Sequence, residues 1–328
     1  MHYFKFKRLG LVFFSFLYSS FLVMLPNDYF RDRVGYIVYA EESSDYFYSS
    51  SQDGFLSLFF SDPIFLKLNS FFSIFFSSDL VPKVFVFFSG FIFFYCFMRE
   101  SKGGLAKFFI LLLLLLTPGF FHLQNVVLRQ GLCSAILILI CVHCDDKRKW
   151  ILASFILGMI HSSFFLITFF LFFEYLFTTL KFKRTNAYIL ISVVSIVVAL
   201  SYIFIGKYLG VRQSSSDYLA AEVSVSGFAF IMWLSVFILI LIRKKTDGNY
   251  KVDDVSIMGL IIYLSMYFIS PIGGRLILSF IPFFFISMVR RVNLLSFVFI
   301  IFFLAVNAYI FRSTISENSL NFVIPAFF

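Results

Sequence analysis

Residues 105–149 read LAKFFILLLLLLTPGFFHLQNVVLRQGLCSAILILICVHCDDKRK, two apolar runs joined by a short polar turn and followed by a basic cluster. Each run approaches the roughly 20 residues that an α-helix needs to cross a bilayer. The turn between them is too short to hold a soluble domain. The stretch therefore predicts a pair of transmembrane helices, and the same pattern recurs along the chain.

The composition of the whole chain agrees with this pattern. The 328 residues are 60% hydrophobic and only 14% charged, include 53 Phe, and have a mean hydropathy of +0.93. A soluble domain is about half apolar and about a quarter charged. We therefore predict an all-α, polytopic bundle forming a single membrane domain over residues 1–328, with no sizeable soluble domain.

The net charge of +9 reflects membrane topology and does not indicate a nucleic-acid partner. Of the 27 basic residues, 18 lie in six clusters that flank apolar runs. Because Lys and Arg are enriched in cytoplasmic loops, the clusters predict a cytoplasmic N-terminus. Glu174, near the inner end of a predicted span, is expected to pair with them. The clusters are Lys5, Lys7, Arg8; Arg99, Lys102, Lys107; Lys147, Arg148, Lys149; Lys181, Lys183, Arg184; Arg243, Lys244, Lys245, Lys251; and Arg290, Arg291.

Alternation of these clusters predicts about eleven spans and an outer C-terminus. Residues 150–180 are too long for one crossing, at about 46 Å, so the chain is expected to bend near His161. Two outer loops result, 26–81 and 207–226, and Pro63 suits the start of a re-entrant or interfacial helix at about 62–78. The spans are 9–25, 82–98, 105–121, 126–144, 150–161, 163–180, 186–206, 227–242, 255–270, 276–289 and 294–310.

The cysteines and the N-terminus suggest no special chemistry. All four cysteines lie in apolar runs, which implies no disulfide framework, and Cys141, His143 and Cys144 lack the second ligand pair that a structural zinc site needs. We expect no metal and no cofactor.

The apolar run of residues 9–25 has no small-residue cleavage site and is interpreted as an uncleaved first span.

Three ionisable residues are expected at membrane depth near the outer leaflet, where charge is costly and usually functional. They are Arg129, His161 and Arg275. The planar guanidinium suits phosphate oxygens, so a lipid-linked diphosphate fits this set. The alternative to a ligand site is that the arginines extend to the outer lipid headgroups. The histidine would then be hydrogen-bonded within the protein core.

The first outer loop is rich in tyrosine and charge. Its candidate glycan-binding residues are Arg31, Arg33, Tyr36 and Tyr39, because aromatic rings can stack on sugar faces. The alternative is a tyrosine-rich belt at the membrane interface. Neither GxGxxG after a strand nor a P-loop is present, which argues against a nucleotide-driven reaction.

Four stretches resemble the Wzy-type polysaccharide repeat-unit polymerases of the EpsG-like branch, the class that includes O-antigen polymerases. The first outer loop contributes two of them, and the predicted spans around Arg129 and His161 contribute the others. Arg275 also lies where such proteins tend to carry an arginine. The stretches are RDRVGYIVYAEESS (31–44), SDPIFLKLNSFFS (61–73), LRQGLCSAILI (128–138) and LGMIHSSFFLI (157–167).

The resemblance implies a glycosyltransferase with a bundle similar to the lipid-carrier-dependent, GT-C-like enzymes, located in the bacterial inner membrane with its active site facing the periplasm. Its substrate would be an undecaprenyl-diphosphate-linked oligosaccharide used for lipopolysaccharide or another surface polysaccharide. Arg129, Arg275 and Gln130 would bind the diphosphate. His161 would be the general base, with Asp32 as the second choice. A chain-length regulator and membrane lipid are possible partners.

Two other classes of function stay open. A flippase or transporter of lipid-linked oligosaccharide would commonly show broken helices in both halves of the chain, and the sequence shows one clear break, at His161. Another outer-face transferase, a glycan ligase or an acyltransferase, is the third reading. A ligase is expected to have a larger late outer loop than residues 207–226 provide.

Overall fold

The computed structural model describes residues 2–208, 227–247, 250–290 and 292–317, without the side chains of 2–7, 31, 202–208, 246–247 and 313–317. Within these ranges the chain forms helices and no strand, as the composition predicts. The helices are α1 His2–Val23, α2 Arg31–Gln52, α3 Phe55–Phe60, α4 Pro63–Ser73, α5 Val81–Glu100, α6 Gly104–Leu116, α7 Pro118–Asn125, α8 Leu128–His143, α9 Lys147–Gly158, α10 Ser163–Thr179, α11 Arg184–Tyr208, α12 Gly227–Asp247, α13 Lys251–Met266, α14 Ile272–Val289 and α15 Leu294–Glu317.

Every predicted span overlaps at least one helix, but not every helix is long enough to cross a bilayer. Five described helices have the required length and apolarity: α5, the 184–201 part of α11, α12, α14 and α15. Shorter helices such as α8, with 16 residues, extend only about 24 Å. A multi-pass membrane protein is therefore evident, while the number of eleven crossings and the cytoplasmic N-terminus stay predictions.

The predicted straight span 105–121 needs correction, because the chain breaks at Thr117. Helices α6 and α7 meet there at an angle of 70°. Pro118 is the first residue of α7, and Thr117 adopts an extended conformation with φ −96° and ψ 109°. The residue before a proline is driven out of the helical region, so the Thr-Pro pair ends α6. If α6 and α7 are counted together as one broken span, the described helices include six membrane-spanning candidates.

The segment predicted as the first outer loop contains substantial helical structure. Residues 31–52 form α2, with a buried stripe that includes Arg33, Tyr36 and Ala40, and exposed acidic residues on its other side. Where a helix is expected at about 62–78, α4 runs from Pro63 to Ser73 with Pro63 in its first turn, and its re-entrant or interfacial position stays a prediction. The predicted second outer loop, 207–226, lies almost entirely outside the described residues.

Helix α14 lies at the centre of the bundle. Of its membrane-length window, 89% is buried within the protein, and it contacts α5, α6, α7, α8, α12, α13 and α15. Gly259 of α13 lets the Phe280 ring approach closely, since a Cβ there would lie 2.4 Å from Cγ of that ring. Such close packing fixes the start of α14, which carries Arg275.

Ion pairs join the predicted cytoplasmic ends of several helices. The Lys147 Nζ lies 2.6 Å from a Glu174 carboxylate oxygen and 3.7 Å from one of Asp254, which also pairs with Lys244. The expectation that Glu174 pairs with a basic cluster is confirmed. These contacts connect α9, α10, α12 and α13 at the end of the bundle away from Arg129.

Candidate functional site

Arg129 lies in the first turn of α8, and the local sequence explains its position. After α7 the chain leaves the helical path at Val126–Val127 and begins α8 at Leu128. The turn is tight: a Cβ on Gly131 would lie 2.2 Å from the Leu123 carbonyl oxygen. Only glycine fits such a close approach. The Arg129-Gln130-Gly131 sequence therefore combines the functional candidates with the residue that lets α8 pack against α7.

The guanidinium of Arg129 forms an ion pair with the carboxylate of Asp62, immediately before α4. The side chains are 25% and 11% exposed, so the pair is largely shielded from solvent. The other carboxylate oxygen of Asp62 accepts a hydrogen bond from the Ser162 backbone N–H at 3.1 Å. Nearby, the Ile64 N–H donates to the Met159 carbonyl oxygen at 3.0 Å. Asp62 thus connects the start of α8 to the break between α9 and α10.

Asp62 adopts an unusual backbone conformation. Its φ of 58° and ψ of 51° are left-handed, and its side chain makes no capping bond to α4. Burial raises the pKa of the Asp62 carboxyl to about 6, although Arg129 and the Ser162 N–H act in the opposite direction. At neutral pH the group is therefore mainly a carboxylate.

Aromatic side chains surround the other side of the Arg129 guanidinium. The ring centroids of Tyr36, Tyr39 and Phe65 lie 5.9, 5.4 and 5.6 Å from its central carbon. Asp32 precedes Tyr36 by four residues on α2, a spacing that puts both residues on one helix face, and its charge acts on the Tyr36 phenol. Two predicted glycan-binding tyrosines and the second candidate base therefore lie on the side of α2 that contacts Arg129.

The break between α9 and α10 contains His161. The ring Nδ1 of His161 and the hydroxyl of Ser163 are buried and have no hydrogen-bond partner among the described residues, and the same holds for Nε of Arg129. The charges of Arg129 and Arg275 both act on the His161 ring. The structure therefore brings together the three residues whose convergence the sequence predicts.

Gln130 connects α8 to the beginning of α14. Its buried side-chain amide donates to the Arg275 carbonyl oxygen at 2.6 Å and to the Ser279 hydroxyl at 2.7 Å. Its amide nitrogen is thus engaged within the protein, where it fixes the backbone that carries Arg275. The Arg275 residue itself is half-buried.

Arg33 occupies a different environment from that expected of a glycan-binding residue. It is fully buried, and its Nε donates to the Asn125 carbonyl oxygen at 2.9 Å. Further bonds go to the Asn125 side chain, the Leu25 carbonyl and Asn27. Its guanidinium therefore anchors α2 against the end of α7. The side chain of Arg31 lies outside the described residues.

An open, largely apolar groove begins beside Asp62. Its lining comes from α2, α4 and the residue after α9, and Lys67 lies over the Phe47 ring with its ammonium 3.9 Å from the centroid. Pro63 follows Asp62 directly, and Met159 precedes His161 by two residues. The groove and the polar site are therefore neighbours. The lining residues are Phe47, Pro63, Ile64, Lys67, Leu68 and Met159.

Asp62, Ser162 and Ser163 join the site without having been among the predicted site residues. The available signal was the Asp62-Pro63 pair, which interrupts an otherwise apolar stretch. Within the described part of the chain, no three His, Cys, Asp or Glu side chains are grouped so that they could hold a metal ion.

Comparison with known proteins relates nearly the whole chain to one family. The model of the EpsG family matches residues 10–326. Neither a curated protein nor a solved structure matches the chain.

Proposed function

Since the chain belongs to the EpsG family, we propose that it polymerises lipid-linked oligosaccharide repeat units at the outer face of the membrane. Family membership supports a polysaccharide-related polymerase or transferase. The more specific proposal is a glycosyltransferase of the repeat-unit polymerase type. It would transfer a growing glycan from undecaprenyl diphosphate to the incoming unit at the periplasmic face of a bacterial inner membrane.

The observation that supports the proposal is that the charges of Arg129 and Arg275 both act on His161, beside buried polar atoms of Arg129, His161 and Ser163 that have no partner among the described residues. Buried polar groups are normally hydrogen-bonded, so Nε of Arg129 and the Ser163 hydroxyl are suited to receive a polar ligand. Two guanidinium groups favour an anion, and the diphosphate of a lipid carrier has the matching charge and oxygen geometry.

In the proposed reaction an acceptor hydroxyl attacks the anomeric carbon of the donor glycan. The new carbon–oxygen bond forms as the bond to the diphosphate oxygen breaks, and the diphosphate leaves with the electron pair. Arg129 and Arg275 stabilise the charge that develops on the leaving group, which preorganised donors do well in a site poor in water. The acceptor proton passes to His161 or, as the second choice, to Asp32.

The groove beside Asp62 suits the hydrocarbon part of the donor. Its lining is apolar apart from Lys67, and it includes Pro63, the residue that follows Asp62. An isoprenyl chain lying in it would bring its diphosphate to Arg129, while the ammonium of Lys67 stays near the polar headgroup region, as lysines at membrane interfaces do.

Deletion and complementation test the proposal. Loss of the gene is expected to reduce the glycan ladder of the cell to single repeat units on the carrier, and the wild-type gene restores it. Arg129→Ala and Arg275→Ala should not restore it. Arg148→Ala removes an arginine that is 73% exposed, and it should restore the ladder fully.

Two outcomes would contradict the proposal. A ladder that survives deletion without any change in glycan length excludes a polymerase role in that strain. Full-length polymer made by both the Arg129→Ala and the Arg275→Ala proteins excludes the proposed diphosphate site. The amount of each variant in the membrane must match the wild type before the ladders are compared.

A flippase is the second candidate, although the breaks at Thr117 and His161 both lie in the first half of the chain. With the break at His161 the protein has two interrupted helix pairs, and discontinuous helices are typical of transporters. In a deletion strain a flippase defect leaves lipid-linked units facing the cytoplasm, whereas a polymerase defect leaves single units facing the periplasm. Access of an added glycosidase to those units in spheroplasts distinguishes the two.

A further inference from the structure

Asp62 contacts two parts of the protein that are far from it in sequence. One carboxylate oxygen binds the Arg129 guanidinium, 67 residues away, and the other accepts the Ser162 N–H, 100 residues away. Arg129 is a proposed diphosphate ligand, and Ser162 lies between His161 and Ser163. One small side chain therefore lies between the anion-binding arginine and the segment that carries the proposed base.

Local interactions do not explain why an aspartate occupies this position. An aspartate before a helix usually caps its own helix with its carboxylate, but that of Asp62 makes no such bond to α4. Its backbone is also in the left-handed region, which non-glycine residues seldom occupy and which clusters at functional sites. The carboxylate is instead directed at Arg129 and Ser162.

The contact also determines which donors of Arg129 remain available. Asp62 binds one terminal nitrogen, while Nε is buried without a partner. The Tyr36, Tyr39 and Phe65 rings limit the space around the guanidinium. Asp62 thus holds one terminal nitrogen, the Tyr36 phenol also hydrogen-bonds the Arg129 side chain, and Nε is the donor that an anion can bind.

We propose that Asp62 is a positioning residue, which aligns Arg129 with the His161–Ser163 segment so that Nε of Arg129 and the Ser163 hydroxyl bind the same diphosphate. The inference rests on the proposed function, because it assumes that Arg129 binds the diphosphate. It assigns Asp62 no direct contact with the sugar. It adds Ser163 to the anion site.

A double-mutant cycle on purified protein in lipid nanodiscs tests this role, with inorganic pyrophosphate as the probe. Arg129→Ala and Asp62→Ala are each expected to weaken pyrophosphate binding by on the order of tenfold or more, and the double variant should bind no worse than Arg129→Ala alone. Asp62→Asn, which keeps an acceptor for Ser162 but loses the charge, should fall between Asp62→Ala and the wild type. Ser163→Ala should also weaken binding.

Matched controls separate positioning from general damage. Asp53→Asn makes the same acid-to-amide change at the exposed C-terminal end of α2 and should bind pyrophosphate as the wild type does. Each variant is compared by its thermal midpoint and by gel filtration. If Asp62→Ala does not fold, the cycle is carried out with the nearly isosteric Asp62→Asn.

The outcomes of the cycle distinguish the positioning role of Asp62 from the proposed diphosphate site on which it rests. Wild-type binding by folded Asp62→Ala, or losses that add in the double variant, would overturn the positioning role while leaving the diphosphate site intact. Wild-type binding by Arg129→Ala would instead contradict the diphosphate assignment itself. Loss in both single variants without further loss in the double variant supports the inference.

Discussion

At Gly131 the first turn of α8 lies directly on the backbone of α7. Gly131→Ala is expected to destabilise the protein by about 1–3 kcal/mol, the usual cost of overpacking, because the new methyl would lie 2.2 Å from the Leu123 carbonyl oxygen. Gly35→Ala is the matched control, since nothing lies within 4 Å of that Cβ. The thermal midpoint of unfolding in detergent is measured for both variants. Equal midpoints for Gly131→Ala and Gly35→Ala would mean that α7 and α8 move apart without loss of stability.

The carboxyl of Asp62 predicts a pH dependence of the proposed transfer reaction. Because burial raises its pKa to about 6, protonation as the pH falls from 7 to 5 removes the charge that holds Arg129. The transfer rate of the purified enzyme should fall over that range. His161, Tyr36, Tyr39 and Cys133 are other titratable groups nearby, so pH profiles are compared for Asp62→Asn and His161→Gln. An unchanged acid limb in Asp62→Asn would assign the titration to another group.

Single residues differ in how far the sequence predicts their environment. Arg129, His161 and Arg275 are evident because charge within apolar runs is rare, and in the structure the charges of both arginines act on the His161 ring. Arg33 could not be distinguished from Arg31 by its neighbours in sequence, yet it is buried against Asn125. The contacts of Asp62 span 67 and 100 residues, and no local pattern encodes such partners.

At the scale of elements, α2 depends on Arg33 for its attachment to α7. Arg33→Met should destabilise the fold by about 2–4 kcal/mol, because it removes charge-assisted hydrogen bonds and leaves the buried Asn125 and Asn27 acceptors unpaired. Arg148→Met, at an exposed site, should change the stability by less than about 0.5 kcal/mol. Unfolding in mixed detergent micelles measures both, and equal effects would exclude an anchoring role for Arg33.

Helix boundaries were predicted well where polar residues separate apolar runs and less well inside those runs. The start of α4 at Pro63 and the break at His161 follow from visible signals. The Thr117-Pro118 break lies beside six consecutive leucines, so hydropathy alone extends the helix across it. Length was the other difficulty at α8, which has 16 residues where the predicted span is 126–144, whereas the short α9 agrees with the predicted span 150–161.

At the scale of the whole molecule, the predicted topology has a direct chemical test. The native cysteines are buried or half-buried, so they should react slowly with a membrane-impermeant maleimide. Gln52→Cys, at the end of α2, should be labelled from outside intact spheroplasts. Lys183→Cys, just before α11, should be labelled only after the membrane is opened. The reverse pattern would invert the predicted orientation.

The burial of α14 has a consequence for the order in which the protein is made. Asp62, Arg129 and His161 leave the ribosome before α14, the helix to which Arg275 and both acceptors of the Gln130 amide belong. Until α14 inserts, the Gln130 amide lacks these partners and the site lacks its second arginine. We therefore expect the nascent chain to be inactive, and activity to arise when this late helix enters the space that seven other helices surround.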